Sequence, residues 1–117
     1  MNRQEIFDKI SKHLLTQNLR SANGRRCYYR SPEGLKCALG ALIPDEKYDQ
    51  KLEGQSAYSV EVLKAIGLGK TSREDKDFLR KLQEIHDHSE PDEWAWRLRM
   101  FAERYNLIFS IEKEFLT

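Results

Sequence analysis

Hydrophobic residues recur at three- and four-residue intervals in three long stretches of the chain, and lose that rhythm over one long stretch between the first and the rest. Ile6, Phe7, Ile10 and Leu14 form one apolar stripe, which predicts a helix over 4–18. Phe78, Leu79, Leu82 and Ile85 form a second stripe, preceded by Ser72-Arg73-Glu74-Asp75, a capping-box-like start with Asp where Glu is usual. Ser89-Glu90-Pro91-Asp92 repeats that start signal, and Trp94, Leu98, Phe101 and Tyr105 mark one face of a last long helix. A shorter helix is predicted from Ser59, with Val60, Leu63 and Ile66 on one face and Gly67 as its stop.

Between these helices the pattern is irregular. Asn23-Gly24 is a turn dipeptide, and Ser31-Pro32-Glu33-Gly34 is a second turn with aromatic-rich Arg26–Arg30 before it and Leu35–Ala38 after it. That arrangement predicts a small β-hairpin near residues 26–38. The apolar run 39–43 is too short for its periodicity to choose between helix and strand, although Ala38 and Gly40 suit close backbone approach. Pro44 ends it, Pro44-Asp45-Glu46 suits a short helical turn, and 45–55 reads mostly as loop. After Asn106 the apolar tail 107–117 is expected to dock on the core or on a partner, including a second copy of the chain. The fold class is therefore mainly α: a four-helix single domain over 1–117 with a small hairpin.

Composition narrows the partners. The 117 residues suffice for one core without a metal or disulfide, and 20 Lys plus Arg against 19 Asp plus Glu give a formal charge of +1. A global attraction to nucleic acid or membrane is thereby excluded. Glu5 and Asp8 interrupt the apolar stretch a signal peptide needs, and no segment has transmembrane length, so the expected location is the cytoplasm, with no membrane partner. The two cysteines, Cys27 and Cys37, read as free thiols in a reducing compartment, with metal and redox roles as the alternatives.

Three motifs invite catalytic readings. Gly67-Leu68-Gly69-Lys70-Thr71 imitates a phosphate-binding loop, but the motif needs glycine where Lys64 stands and a strand where a helix is predicted. Cys27, Cys37, His86 and His88 supply zinc-type ligands, yet nine residues separate the cysteines, unlike the short spacing of a zinc knuckle. Cys37 with His86 and Asp87 is the one compact nucleophile, base and carboxylate set, and its competing reading is a packed core segment, Cys37-Ala38-Leu39-Gly40. No catalytic residue, metal site or cofactor is assigned.

The positive signals point to binding. Arg20, Arg25, Arg26, Arg30 and Lys36 fall within one short stretch opposed only by Glu33, with Tyr28 and Tyr29 between them. Guanidinium forks and a tyrosine ring suit an anionic, nucleotide-like ligand or an acidic protein surface, so Arg20, Arg25, Arg26, Tyr28, Arg30 and Lys36 are the candidate ligand-binding residues. The competing reading is a solvated edge that neutralises Asp45, Glu46, Asp49 and Glu53. Trp94 and Trp96 stand two apart and cannot share a helix face; Trp94 follows the apolar stripe, which leaves Trp96 with Arg97 and Arg99 as a candidate partner contact.

The sequence also resembles a family of small, largely uncharacterised proteins of bacteriophages and bacterial genomes. The likeness runs from the Glu5-Ile6-Phe7-Asp8-Lys9-Ile10 helix through Gly34, Cys37-Ala38, Gly40, Leu42-Ile43-Pro44-Asp45-Glu46, Tyr48 and Glu53-Gly54 to Leu82–Asp87 and Trp94. The tail past Leu107 lies outside it. The resemblance implies a setting: a phage-type accessory protein inside a bacterial host cell, binding a host protein or a defence signal to counter a bacterial defence system. The expected function is thus non-catalytic binding of an anionic ligand or host protein. The alternative is a cysteine- or zinc-dependent enzyme using Cys37 and His86.

Overall fold

The structure, a computed structural model, describes residues 2–23, 26–57 and 59–109, without the side chains of residues 23 and 26. Among these residues it is mainly helical, with four helices: α1 (Arg3–Gln17), α2 (Val60–Ala65), α3 (Arg73–His88) and α4 (Pro91–Arg104). No helix among them is long and apolar enough to cross a membrane.

The caps explain where the helices begin. Asn2 accepts from the Glu5 N–H at 2.8 Å while Glu5 accepts from the Asn2 N–H at 3.3 Å, a reciprocal pair that starts α1. Ser72 accepts from the Asp75 N–H and starts α3, as expected. The cap of α4 is Glu90 and not Ser89, with Pro91 at its first position, where a missing N–H costs nothing. Between α2 and α3, Gly67 and Gly69 hold φ of +83° and +54°, so the sequence that imitated a phosphate loop is a glycine-dependent interhelical turn.

Three long helices share one core. Ile6, Phe7, Ile10 and Leu14 of α1, Phe78, Leu79, Leu82 and Ile85 of α3, and Trp94, Leu98 and Phe101 of α4 are all buried. The Phe101 ring lies 5.9 Å from Phe7 and 5.1 Å from Phe78, placing α4 against both other helices. After α4 the chain turns at Asn106, φ +58°, and Ile108 exchanges both backbone bonds with the Gln4 side chain at 2.8 and 2.9 Å. Phe109 then meets the edge of Phe7 at 5.5 Å. The beginning of the predicted tail therefore docks on the core; 110–117 lie outside the described residues.

The hairpin predicted near 26–38 is not formed. The paired strands among the described residues are β1 (Ala22–Asn23) and β2 (Arg26–Cys27), two residues each, and the predicted span contributes beyond β2 only an isolated Arg30–Lys36 bridge. Side chains have taken the place of a ladder. The Tyr29 and Arg30 N–H groups donate to the two Glu53 carboxylate oxygens at 2.9 and 3.0 Å, and the Lys36 N–H donates to Gln17 at 2.9 Å. A strand whose donors are satisfied this way has no need of a neighbour. Downstream, the undecided run 39–43 contains a 3-10 turn, Gly40–Leu42, packed on α1, and the expected loop 45–55 carries two more, Asp45–Lys47 and Gln50–Leu52.

Candidate functional site

The irregular segment 18–57 is held to the helices by side chains that satisfy its backbone. Gln83 of α3 accepts from the Leu39 N–H at 3.0 Å, and His86 Nε2 accepts from the Ser21 N–H at 2.9 Å. On α1, Gln17 and His13 both bond the Lys36 carbonyl, at 2.8 and 3.0 Å. Glu53 also accepts the Tyr48 hydroxyl at 2.6 Å, and burial with that bond pushes the Tyr48 phenol up to about 12. Gly40 allows the tightest approach: a Cβ there would sit 2.0 Å from the Tyr29 carbonyl oxygen.

Cys27, His86 and Asp87 meet at the edge of this region, their ligand-capable atoms all within 4.8 Å of one another. A backbone N–H can only donate, so the Ser21 bond makes Nε2 of His86 an acceptor and puts the ring proton on Nδ1. Nδ1–H then donates to Asp87 Oδ1 at 2.8 Å. Both ring nitrogens are used, the imidazole is fully buried against Trp94, and it offers no lone pair to a metal beside Cys27 and Asp87. The donor set has zinc-type chemistry, but its hydrogen bonding does not fit a zinc ligand. His88 is exposed at the end of α3 and does not join the cluster.

The thiols are placed for packing. Cys37 is fully buried and its Sγ accepts from the Gly40 N–H at 3.3 Å; burial pushes the thiol up to about 12. Cys27 is half-buried, and its thiol is also raised, by burial and then by the Asp87 charge, against the opposing pull of Arg20. For Asp87 itself burial works upward, but hydrogen bonds from His86, Gln83 and Cys27 outweigh it and hold the carboxyl below its usual range.

Three cations of the basic stretch make contacts within the fold. Arg30 bonds Asp45 at 2.7 Å and the Ile43 carbonyl at 2.9 Å, with its guanidinium 4.7 Å over the Tyr48 ring. Lys36 lies 4.0 Å from the same Asp45. Arg20 reaches the Asp87 carbonyl at 2.7 Å and Glu90 at 4.0 Å. Arg30 and Lys36 thus engage Asp45, one of the acids the competing reading named, whereas Arg20 engages groups at the end of α3 and the start of α4. Tyr28 lines a cleft beside α3; Arg25 and the Arg26 side chain lie outside the described residues.

The tryptophan pair divides as its spacing predicts. Trp94 is buried and donates to the Ser89 carbonyl at 3.3 Å, whereas Trp96 is 53% exposed. Met100, one turn later on the same side of α4, is 50% exposed. Both line a groove of about 530 Å³ between α3 and α4, floored by Ile85 and Phe101. Three cations stand along it: Arg97, 5.2 Å over the Trp96 ring and 3.6 Å from Glu93; Arg104; and Lys81, 5.9 Å from the Tyr105 ring. Its acidic neighbour Glu84 is already bound to Arg80 at 2.6 Å. Arg99 does not line the groove. The sequence pointed to Trp96 and Arg97 but not to Met100, which lines the same groove four residues after Trp96.

No family model, no curated protein and no solved structure matches this chain.

Proposed function

We propose that the protein works by non-catalytic binding, receiving an acidic, amphipathic helical segment of a partner protein in the α3–α4 groove. One observation carries this reading: Trp96 and Met100 are exposed side by side above an apolar floor. Leu19, Val60 and Ile108 are also exposed, but they stand in three separate parts of the chain, after α1, at the start of α2 and after α4, and singly exposed apolar residues need no explanation. Tryptophan, methionine and arginine are the side chains enriched in protein interfaces. The excess of Lys81, Arg97 and Arg104 over Glu84 selects an acidic occupant.

The setting we propose with it is the one the family resemblance implies, a phage-type accessory protein that occupies a bacterial host protein. The anionic-ligand reading of residues 20–36 is weaker, because Arg20, Arg30 and Lys36 are engaged within the fold.

The test titrates the intact chain with two synthetic helical peptides that share a leucine face and differ in a Glu or Lys polar face. Tryptophan emission is the readout. The Glu peptide should shift the emission saturably and bind at least about tenfold tighter than the Lys peptide, roughly 1.4 kcal/mol. Met100→Lys should abolish the response and Arg97→Glu should reverse the preference. Equal binding of both peptides, or indifference to both substitutions, would overturn the reading. In a second arm, a host protein captured from bacterial lysate by the intact chain should be lost with Trp96→Ala.

A further inference from the structure

The cleft beside Cys27 contains a carboxylate that no cation among the described residues pairs with. Its volume is about 310 Å³, and Tyr28, Tyr29, Ser56 and Ala57 face Gln83 and Asp87 across it. Most of its polar groups are matched internally. Gln83 is engaged at both ends, by the Leu39 N–H at 3.0 Å and by Asp87 at 2.9 Å. The Tyr29 hydroxyl donates to the Gln55 carbonyl at 2.6 Å, and Arg80 is bound to Glu84 and Asp77.

Asp87 is the exception. Its Oδ1 accepts from both His86 and Gln83, at 2.8 and 2.9 Å, and the uncharged Cys27 thiol also bonds its carboxyl. Among the described residues no lysine or arginine pairs with its carboxylate, because Arg20 bonds the Asp87 backbone carbonyl and turns toward Glu90. A carboxylate withdrawn this far from bulk water, its side chain 25% exposed, is ordinarily paired. We propose that the cleft binds a small aliphatic primary ammonium, whose N–H groups donate to Oδ2 of Asp87 while its hydrocarbon part lies against the tyrosine and alanine walls.

The ligand class follows from what the site excludes. A zinc-type ion would draw its third protein ligand here from His86, and the tautomer denies it the imidazole. A guanidinium fork needs both carboxylate oxygens, and Oδ1 already accepts two bonds. A compact ammonium needs a single carboxylate oxygen, which can accept beside a neutral thiol, and tyrosine faces attract cations. The volume sits at the lower end of small-ligand sites, so the occupant is a short alkylamine or the end of a lysine-like side chain.

Amide chemical shifts test this on the intact protein, with n-butylammonium as probe and n-butanol and tetramethylammonium as controls. The butylammonium ion should move the Cys27, Gln83 and Asp87 amides saturably, at least about tenfold more tightly than either control. Asp87→Asn should remove the response, and Glu84→Gln, at the rim, should preserve it. Should Asp87→Asn lose its dispersed spectrum, Tyr28→Ala decides: a folded variant with weakened binding supports the site, and one with unchanged affinity overturns it. Equal shifts from butanol, or none at these three amides, would also overturn it. The groove on α4 shares only Glu84 with this cleft, and its own test, read at Trp96 and Met100, is untouched by either outcome.

Discussion

In segment 18–57 the backbone follows no repeating pattern, and polar side chains from several directions are needed to hold it: Gln17 and His13 from α1, Gln83 and His86 from α3, Glu53 and Arg30 from within. In α4 the helix satisfies its own backbone between caps, so its outward side chains carry no structural duty. The irregular segment is rich in cysteine, glycine and arginine and has the composition of a chemical site; α4 has the composition of ordinary scaffold. Function follows the reverse order in our reading. Residues that must satisfy a buried backbone have little capacity left for a ligand, and residues on a self-sufficient helix keep all of theirs.

Substitutions in the two regions should therefore fail in different assays. Gly40→Ala is the largest expected effect. Its new Cβ would meet the Tyr29 carbonyl oxygen at 2.0 Å, and the obstacle is backbone that cannot rotate away. A loss of at least about 3 kcal/mol is expected in urea unfolding, enough to unfold a marginal domain. A stable Gly40→Ala protein would show that the segment can shift as a body, and that its side-chain ties are weaker than their geometry implies.

Next comes Glu53→Gln. One carboxylate oxygen becomes a donor, facing either a backbone N–H of Tyr29 or Arg30 or the Tyr48 hydroxyl, and the remaining bonds lose their charge. About 2 kcal/mol of stability should be lost. Binding of the acidic peptide to the surviving folded protein should be unchanged, since the groove is built from α3 and α4 with the adjoining Ser89 and Tyr105.

Legibility in the sequence divides along the same line. The apolar stripes of α1, α3 and α4 were readable because a repeating backbone imposes a repeating pattern, and Trp94 and Trp96 separated on spacing alone. Gly40 as a point of close approach was readable too. The hairpin was not. Turn residues at 31–34 suggested two strands, but the decisive partner of Tyr29 and Arg30 is Glu53, more than twenty positions away, and no local pattern announces such a bond. The same applies to Asp45, which engages Arg30 at 2.7 Å and Lys36 at 4.0 Å, pairings that charge spacing alone did not single out.

The converse substitution sharpens the contrast. Trp96→Ala combined with Met100→Ala removes two exposed side chains of α4's outer face, so stability should stay within about 0.5 kcal/mol. Affinity for the acidic peptide should fall at least about tenfold, roughly 1.4 kcal/mol. If stability fell instead, α4's outer face would belong to the fold, and the distinction between the two regions would collapse.

The smallest effect is a pH dependence confined to one side of the comparison. His13 is half-buried against the Lys36 carbonyl, and burial, with the nearby charge of Lys36, outweighs that bond and holds its pKa below 6.5. The unfolded chain therefore binds the proton more readily than the folded one. The stability that neutral His13 contributes is fully present above pH 6.5 and is lost as pH falls through the lower folded value; Asp87, also depressed, adds a second loss further into the acid range. His13→Gln keeps a donor for the carbonyl and should flatten the first decline in urea titrations between pH 7 and pH 5, roughly the window in which an ordinary histidine titrates. Because the bond from His13 goes to the Lys36 turn and not to α4, acidification should raise amide exchange first at residues 29–37. Uniform acceleration across α4 as well would mean that the irregular segment and the helices open as one unit, and that the side-chain ties bind the two regions more closely than their separate roles require.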